Sequence, residues 1–422
     1  MIRALLLLGT ACLIAAPGQA ETLAQAIEAA YATNPTLTAA EARQDSLTET
    51  VEQARSAGRL AVSAEAAGGY DRSDYGRGGG AVVSAELPIW TGNRVQSAVR
   101  AARSDVAAGE EGLRDTRAAI LEGVVAAYAD LLYDQEAVAI ATADLALLQH
   151  QIAEAQARFK LGTSTLTDVA RLQAQYAGAQ ATLADAQASV SADRANYRAT
   201  VGHNPDTLAA PSGAPAALPT NLDQARSLAL ANNPLYRQRD QITQASAARI
   251  DAARANGAPS AGLSGTYGYN TRFAGTGDRF YNQAASAGLT VHVPILTGGL
   301  VASQVRQARS DYRAAQFDRE AAGREAVRSA DAAWAALVRA QAQASANAAG
   351  VVAADVALKG VRAEYAFSLR STLDILVADE SLRAAQLALA RNRSDLLIAR
   401  AALLRAIGGL DRDAFAARPI PR

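Results

Sequence analysis

The sequence predicts a mainly α protein with a smaller β part: long antiparallel coiled-coil helical hairpins, joined to four strands suited to a membrane wall. Three observations predict it. The chain repeats itself internally, its helical stretches carry apolar residues at every seventh position, and short segments of period-two alternation stop at matching prolines.

The repetition comes first because it organises the rest. Leu87-Pro88-Ile89-Trp90-Thr91-Gly92 recurs as Val293-Pro294-Ile295-Leu296-Thr297-Gly298. Downstream, Val99, Arg100, Arg103 and Asp105 recur as Val305, Arg306, Arg309 and Asp311, and Phe159, Asp168 and Gly202 as Tyr365, Asp374 and Gly408. Upstream, Asn34-Pro35 matches Asn233-Pro234, with Arg55 and Gly58 against Arg254 and Gly257. The upstream and downstream registers differ, so the second copy carries an insertion between Gly257 and Pro294. Residues 203–220 hold Pro205, Pro211, Pro215 and Pro219, a density no helix interior tolerates, so they form a linker. The resulting organisation is a first repeat over 21–202, a linker over 203–220, a second repeat over 221–409 and a short tail over 410–422.

Each copy reads helix, strand, loop, strand, long helix, turn, helix. Asn34-Pro35 interrupts an early helix, which resumes to about Ser56. Leu60, Val62 and Ala64 then alternate with Ala61, Ser63 and Glu65, and the Gly-rich run 71–80 reads as a loop. Val83, Ala85 and Leu87 alternate with Ser84 and Glu86, as Leu289, Val291 and Val293 do with Thr290 and His292. These strands are expected to end at Pro88 and Pro294. Tyr267, Tyr269, Phe280 and Tyr281 suit either an interfacial aromatic belt or loop packing.

From Gly92, a stretch of about 69 residues lacks proline; as one helix it spans roughly 100 Å. Its apolar positions recur at Val99, Val106, Leu113 and Ile120, then after a phase shift at Val124, Leu131, Val138, Leu145, Ile152 and Phe159. The returning helix repeats the spacing at Val169, Tyr176, Leu183, Val190 and Tyr197. The second copy does so at Leu337, Val351, Leu358, Tyr365, Ile375, Leu382, Leu396 and Leu403. Sustained heptads mean knobs-into-holes packing between antiparallel neighbours.

Composition narrows the function. Lys+Arg and Asp+Glu are both 41, so nothing in the net charge invites nucleic acid. Alanine is abundant and aromatics scarce, which suits helices packed closely through small side chains. Arg3, the apolar run around Ala4–Leu8 and Leu13–Ala16, and the small residues before Glu21 read as a secretory signal peptide over 1–20. The one cysteine, Cys12, lies inside that leader, so the mature chain is expected to carry neither disulfide nor thiol site. Beyond the leader no apolar run reaches the roughly 18 residues of a transmembrane helix. Any membrane crossing therefore belongs to the strands.

Four strands enclose no lumen, and an open sheet cannot rest in lipid with its edges unpaired. Several chains must share one wall, and three of them give about twelve strands with a lumen. The same symmetry gathers the hairpins into an α-barrel. Strands pointing one way and hairpins the other suggest an outer-membrane pore continuous with a periplasmic tunnel.

The Asn-Pro helix start, the Pro-Ile-x-Thr-Gly strand-to-helix junction and the duplication of both resemble the TolC family across essentially the whole mature chain. The resemblance implies a homotrimeric outer-membrane channel-tunnel, the passive exit duct of a tripartite efflux pump or a type I secretion system. It implies as partners a periplasmic adaptor (membrane fusion) protein, an inner-membrane transporter and outer-membrane lipid, with no nucleic acid. It also implies a tunnel closed at the hairpin tips by links between inner coils. The matching positions are Thr167 and Asp168 beside the first tip and Tyr365 and Arg370 beside the second, with Asp374 as a pore-entrance carboxylate. An Arg–carboxylate link between hairpins is a directional, releasable latch. The same polar residues also suit plain helix capping, and Tyr365 also continues the heptads. Where the family can carry a second aspartate one turn beyond Asp374, this chain has Val377. Leu161, Gly162, Thr163, Ser368 and Leu369 occupy the tips that would meet the adaptor.

No catalytic constellation accompanies these features. His150, His203 and His292 are scattered over a helix, the linker and a strand, and Gly76–Gly80 lacks the Lys and Ser/Thr of a phosphate loop. No enzyme activity and no cofactor is expected. The competing reading is an extended periplasmic or surface coiled-coil scaffold without a pore, which has no use for membrane-length strands.

Overall fold

The two Asn-Pro pairs decide where the chain first turns. In the computed structural model, which describes residues 20–71, 76–205, 207–211, 218–273, 279–367 and 369–415, α1 (Leu23–Thr33) stops at Asn34 and α2 (Pro35–Ser56) starts at the proline. The Asn34 side chain accepts from the Thr36 N–H at 2.9 Å, while Pro35 has no N–H to leave unpaired. The second copy repeats the device: α5 (Leu222–Asn232), then Asn233 capping α6 (Pro234–Ala255) through the Tyr236 N–H at 3.1 Å. The expected leader lies outside the described residues except for Ala20.

Each early helix pair leads into two strands: β1 (Ala61–Asp71) and β2 (Gly76–Trp90) in the first copy, β3 (Ser260–Phe273) and β4 (Arg279–His292) in the second. They form one antiparallel sheet in chain order, β1-β2-β3-β4, so β1 and β4 each have a single partner. Three boundaries differ from expectation. Gly76–Gly80 is strand rather than loop, because the glycines pair across to one another, Gly68 with Gly79 and Gly69 with Gly78. Strand β2 also runs through Pro88 to Trp90: pairing with β1 has stopped at Glu86, and the β2–β3 register slips between Pro88 and Trp90. In the second copy the strand ends earlier, at His292.

The strand-to-helix junctions explain the repeated Thr-Gly. Gly92 and Asn93 have φ of 60° and 72°, and Gly298 and Gly299 have 56° and 83°. Two successive left-handed residues turn the chain out of the strand, a conformation glycine and asparagine adopt most readily. The long helices follow: α3 (Arg94–Lys160) and α7 (Leu300–Ala366), each of 67 residues, returning as α4 (Leu166–Val201) and α8 (Thr372–Ala406). No helix among the described residues is long and apolar enough to cross a membrane.

Two compact units arise, and each draws on both repeats. One contains the described parts of Met1–Leu37, Arg117–Ser227 and Ser329–Arg422; the other contains Thr38–Thr116 and Leu228–Arg328. In the second, Val51 packs with Val99 and Ala102, and Arg249 pairs with Asp105 at 2.6 Å. In the first, the heptad residues Leu145, Ile152, Val169 and Tyr176 pack in one cluster with Leu148, Leu172 and Leu376. Phe159 is the exception, 45% exposed.

The fully buried stretch of α3, Leu121, Val124, Val125, Tyr128 and Leu131, lies in that first unit. The Tyr128 hydroxyl meets the Glu21 and Ala209 carbonyls at 2.9 and 2.6 Å, and Arg412 of the tail pairs with Glu28 at 2.6 Å. Helix α4 ends here on Gly202, whose φ is 102°. A Cβ at 202 would stand 2.3 Å from the Thr33 hydroxyl, which itself bonds the Val201 carbonyl at 3.0 Å. Gly202→Ala is therefore expected to cost about 1–3 kcal/mol through backbone strain and the displaced Thr33. Thermal unfolding followed by circular dichroism reads it, and an unchanged Tm would show that the cap relaxes freely.

Candidate functional site

The strand register sorts every side chain of the sheet onto one of two faces. Val62 lies opposite Ala85, Ala64 opposite Val83, Val83 opposite Tyr267, Leu87 opposite Leu263, Leu263 opposite Leu289, and Ala261 opposite Val291. That face is apolar, and its large side chains are exposed in the single chain. Tyr267 and Tyr269 stand on it, within β3 rather than in a loop; the side chains of Phe280 and Tyr281 lie outside what is described. The other face carries Ser63 opposite Ser84, Ser84 opposite Thr266, Thr266 opposite Ser286, and Glu86 opposite Ser264. Hydroxyl–hydroxyl bonds tie its strands, Ser63 to Ser84 at 2.9 Å and Thr266 to Ser286 at 2.6 Å. A hollow opens on this polar face, lined by Glu65, Val82, Thr266 and Gly268.

The hairpin tips are built by two matching capping boxes. At the first, Thr165 accepts from the Asp168 N–H at 3.2 Å, and the Asp168 carboxylate accepts from the Thr165 N–H at 3.1 Å and hydroxyl at 2.7 Å. Those bonds, the hydroxyl's first, hold the Asp168 carboxyl below its ordinary range. At the second, Asp374 takes the Ser371 N–H and hydroxyl, both at 2.8 Å, and is likewise held low by them. Thr167 sits exposed in the first turn of α4.

The remaining tip residues are placed as follows. Arg370 Nε donates to Glu364 at 2.6 Å on its own hairpin. Tyr365 accepts a 3.5 Å bond from the Thr372 hydroxyl, and the Arg158 guanidinium lies 4.8 Å over its ring. Within one chain, therefore, Asp168 and Arg370 each bind their own hairpin, while Tyr365 links the two through Arg158. Gly162 turns the first tip with φ of 75°, and the Thr163 N–H and hydroxyl close α3 on the Arg158 carbonyl at 2.9 and 3.1 Å. Leu161 and Leu369 are 78% and 74% exposed, with Phe367 beside Leu369 at 78%. Ser368 lies outside the described residues.

A second polar cluster lies on α3, α7 and α8. Arg383 donates to Asp144 at 2.6 Å and to Asp379 at 3.1 Å, and Arg362 reaches Asp379 at 3.7 Å. The Asp144 and Asp379 side chains are only 3% and 5% exposed. Burial pushes the Asp144 carboxyl up, and Arg383 opposes it. Sequence reasoning missed this cluster. Its one local signal is the Asp379–Arg383 spacing of one helical turn, because Asp144 is 239 residues away in the chain. Arg158 was also missed. Capping by Asp168 and Asp374 was one of the two expected readings, but their partners Thr165 and Ser371 were missed, although Thr-x-x-Asp and Ser-x-x-Asp before apolar runs announce them.

Against known proteins, the family model described as outer membrane efflux protein matches residues 26–203 and 225–409. The outer membrane efflux protein BepC of Brucella suis biovar 1 is 32% identical, over 98% of this chain and 91% of that protein. The outer membrane protein TolC of Vibrio cholerae is 29% identical, over 93% and 91%. Among solved structures, the outer membrane protein VceC of Vibrio cholerae superposes with a TM-score of 0.75 at 24% identity, over 92% of this chain and 96% of that one.

Proposed function

The chain belongs to the outer membrane efflux protein family, and on that premise we propose that three copies close their sheets into one barrel and their hairpins into one tunnel. It is an outer-membrane efflux channel and not an enzyme. The proposal concerns how it works: a passive duct through which substrate leaves the periplasm, as the exit of an efflux pump or a type I secretion system.

The observation that carries the reading is the two-faced sheet with single-partner edges β1 and β4. An apolar face suits lipid and a polar face suits water, but open edges are not stable in a bilayer. Three sets of the four strands pair β4 of one copy with β1 of the next and leave no edge. The leader over 1–20 would be removed before Glu21, leaving the repeats 21–202 and 221–409 joined by 203–220 and followed by the tail 410–422.

At the tips, Leu161, Gly162, Thr163, Ser368 and Leu369 would dock a periplasmic adaptor, which links the duct to an inner-membrane transporter. Exposed leucines at the hairpin tips suit a helical partner. Thr167, Asp168, Tyr365 and Arg370 would form the latch between neighbouring chains. To engage Asp168 of the next chain, Arg370 must release or share Glu364, and the exposure of that pair makes the exchange inexpensive. Asp374 would face the entrance while still capping α8.

Bilayer recordings test both levels. Discrete conductance steps from the detergent-extracted protein are expected, and their absence would favour the scaffold reading. Arg370→Ser is expected to raise mean conductance roughly severalfold by loosening a weak, solvent-reached link. An unchanged conductance would remove Arg370 from the latch.

A further inference from the structure

We propose that Glu65 and Glu86 make the β-barrel segment of the duct a cation-selecting passage, an inference that rests on the chain being one subunit of a pore. The register fixes their side. Glu86 lies opposite Ala61 and Ser264, and Glu65 opposite Val82, so both stand on the face that carries the Ser63, Ser84, Thr266 and Ser286 hydroxyls. The hollow lined by Glu65, Thr266 and Gly268 opens on that face, whereas Val62, Val83, Leu263, Leu289 and Val291 occupy the other. An apolar wall turned to lipid leaves the carboxylates turned to the lumen.

Among the described side chains of the sheet, these two are the only acids; the register also places Asp71 and Arg272 on their face, one acid and one base, so the face keeps its excess of carboxylates. Neither carboxylate is tied up in a cap, as Asp374 is by Ser371. The two stand four strand positions apart, roughly 13 Å at the usual rise. Threefold repetition turns them into two rings of carboxylates separated by a girdle of hydroxyls, which offer water-like ligands but no fixed charge. With wall charges roughly 10 Å from the axis and a Debye length of about 10 Å at 0.1 M salt, each ring favours cations over anions about fourfold at the axis. Near 1 M salt the screening length drops to about 3 Å and the preference fades. Cationic solutes are therefore the class this segment passes most readily.

The test is the reversal potential of single channels of the full-length protein in planar bilayers under a KCl gradient near about 0.1 M. Wild type is expected to prefer K⁺. Glu65→Gln/Glu86→Gln is expected to lower the K⁺/Cl⁻ permeability ratio about fourfold or more while the channels still form. Glu65→Lys/Glu86→Lys is expected to reverse the preference. If the double Gln variant inserts poorly, each single variant is expected to show a smaller loss in the same direction. Conducting channels whose ratio ignores all these changes would overturn the proposal, as would loss of all selectivity in Asp374→Asn alone. Wild type without conductance is a separate failure, since it removes the pore itself.

Discussion

Replacing Arg383 by methionine is expected to destabilise the paired hairpins by about 3–5 kcal/mol, because it leaves two buried carboxylates without their cation. Asp144 and Asp379 are almost wholly enclosed, and Arg383 serves both. Arg362 approaches Asp379 only to 3.7 Å and is itself 42% exposed, so it is a poor substitute. The cluster is also incompletely satisfied: Asp144 Oδ1 and Arg383 Nη2 are buried without a hydrogen-bond partner. Such a cluster is costly to break from one side and inexpensive to replace whole. The triple variant Arg383→Met, Asp144→Asn, Asp379→Asn is accordingly expected to recover most of the loss. Thermal unfolding of the detergent-solubilised variants separates the cases. Equal melting of the single and triple variants would mean that methionine's packing, not the stranded charge, sets the cost.

How much of this was legible depends on whether a residue's role is local. The hairpins were legible because a heptad series is a local pattern: Leu145, Ile152, Val169 and Tyr176 meet in one cluster as their spacing requires. Phe159 continues that series in sequence but lies in the last turn of α3, beside the exposed tip, where its side chain remains half in solvent. The strands were legible where apolar and polar residues alternate, and illegible over Gly76–Gly80, where four of the five residues are glycine and no alternation can show. At the tips, residue type and position identified Asp168 and Asp374 but not their partners. The same carboxylate can cap its own helix or reach a neighbouring chain, and within the chain it caps. Glu364 gave no signal, since a six-residue reach around a turn has no fixed spacing. The Asp144–Arg383 pair joins opposite repeats, and no periodicity within either one encodes it.

Asp134→Asn is expected to stabilise the protein at neutral pH, by roughly 2–3 kcal/mol, and to flatten its pH dependence. Asp134 on α3 is 8% exposed and shares a hydrogen bond with Asp193 on α4. Burial pushes its carboxyl from 3.8 up to about 6; the bond and charge of Asp193 and the charge of Asp130 add to the rise, and Arg391 opposes it. A carboxyl raised on folding contributes nothing adverse below its ordinary value, where it is protonated in both states. As pH climbs through about 4 to 6, the unfolded chain ionises it freely while the folded chain resists, so stability falls and stays lower above that window. The capping carboxylates Asp168 and Asp374 run the other way, since their depressed values favour folding once the pH exceeds the unfolded range. Only the difference between wild type and variant isolates the Asp134–Asp193 pair, because the groups not coupled to it cancel. Asparagine is close in shape and donates to Asp193 at every pH, so the variant keeps the bond and sheds the charge. The Tm difference between the Asp134→Asn variant and the wild-type protein is therefore expected to be small near pH 4 and to grow through pH 6. A constant difference across that range would show that the pair titrates as it does in water, and that its burial is relieved by solvent reaching between α3 and α4.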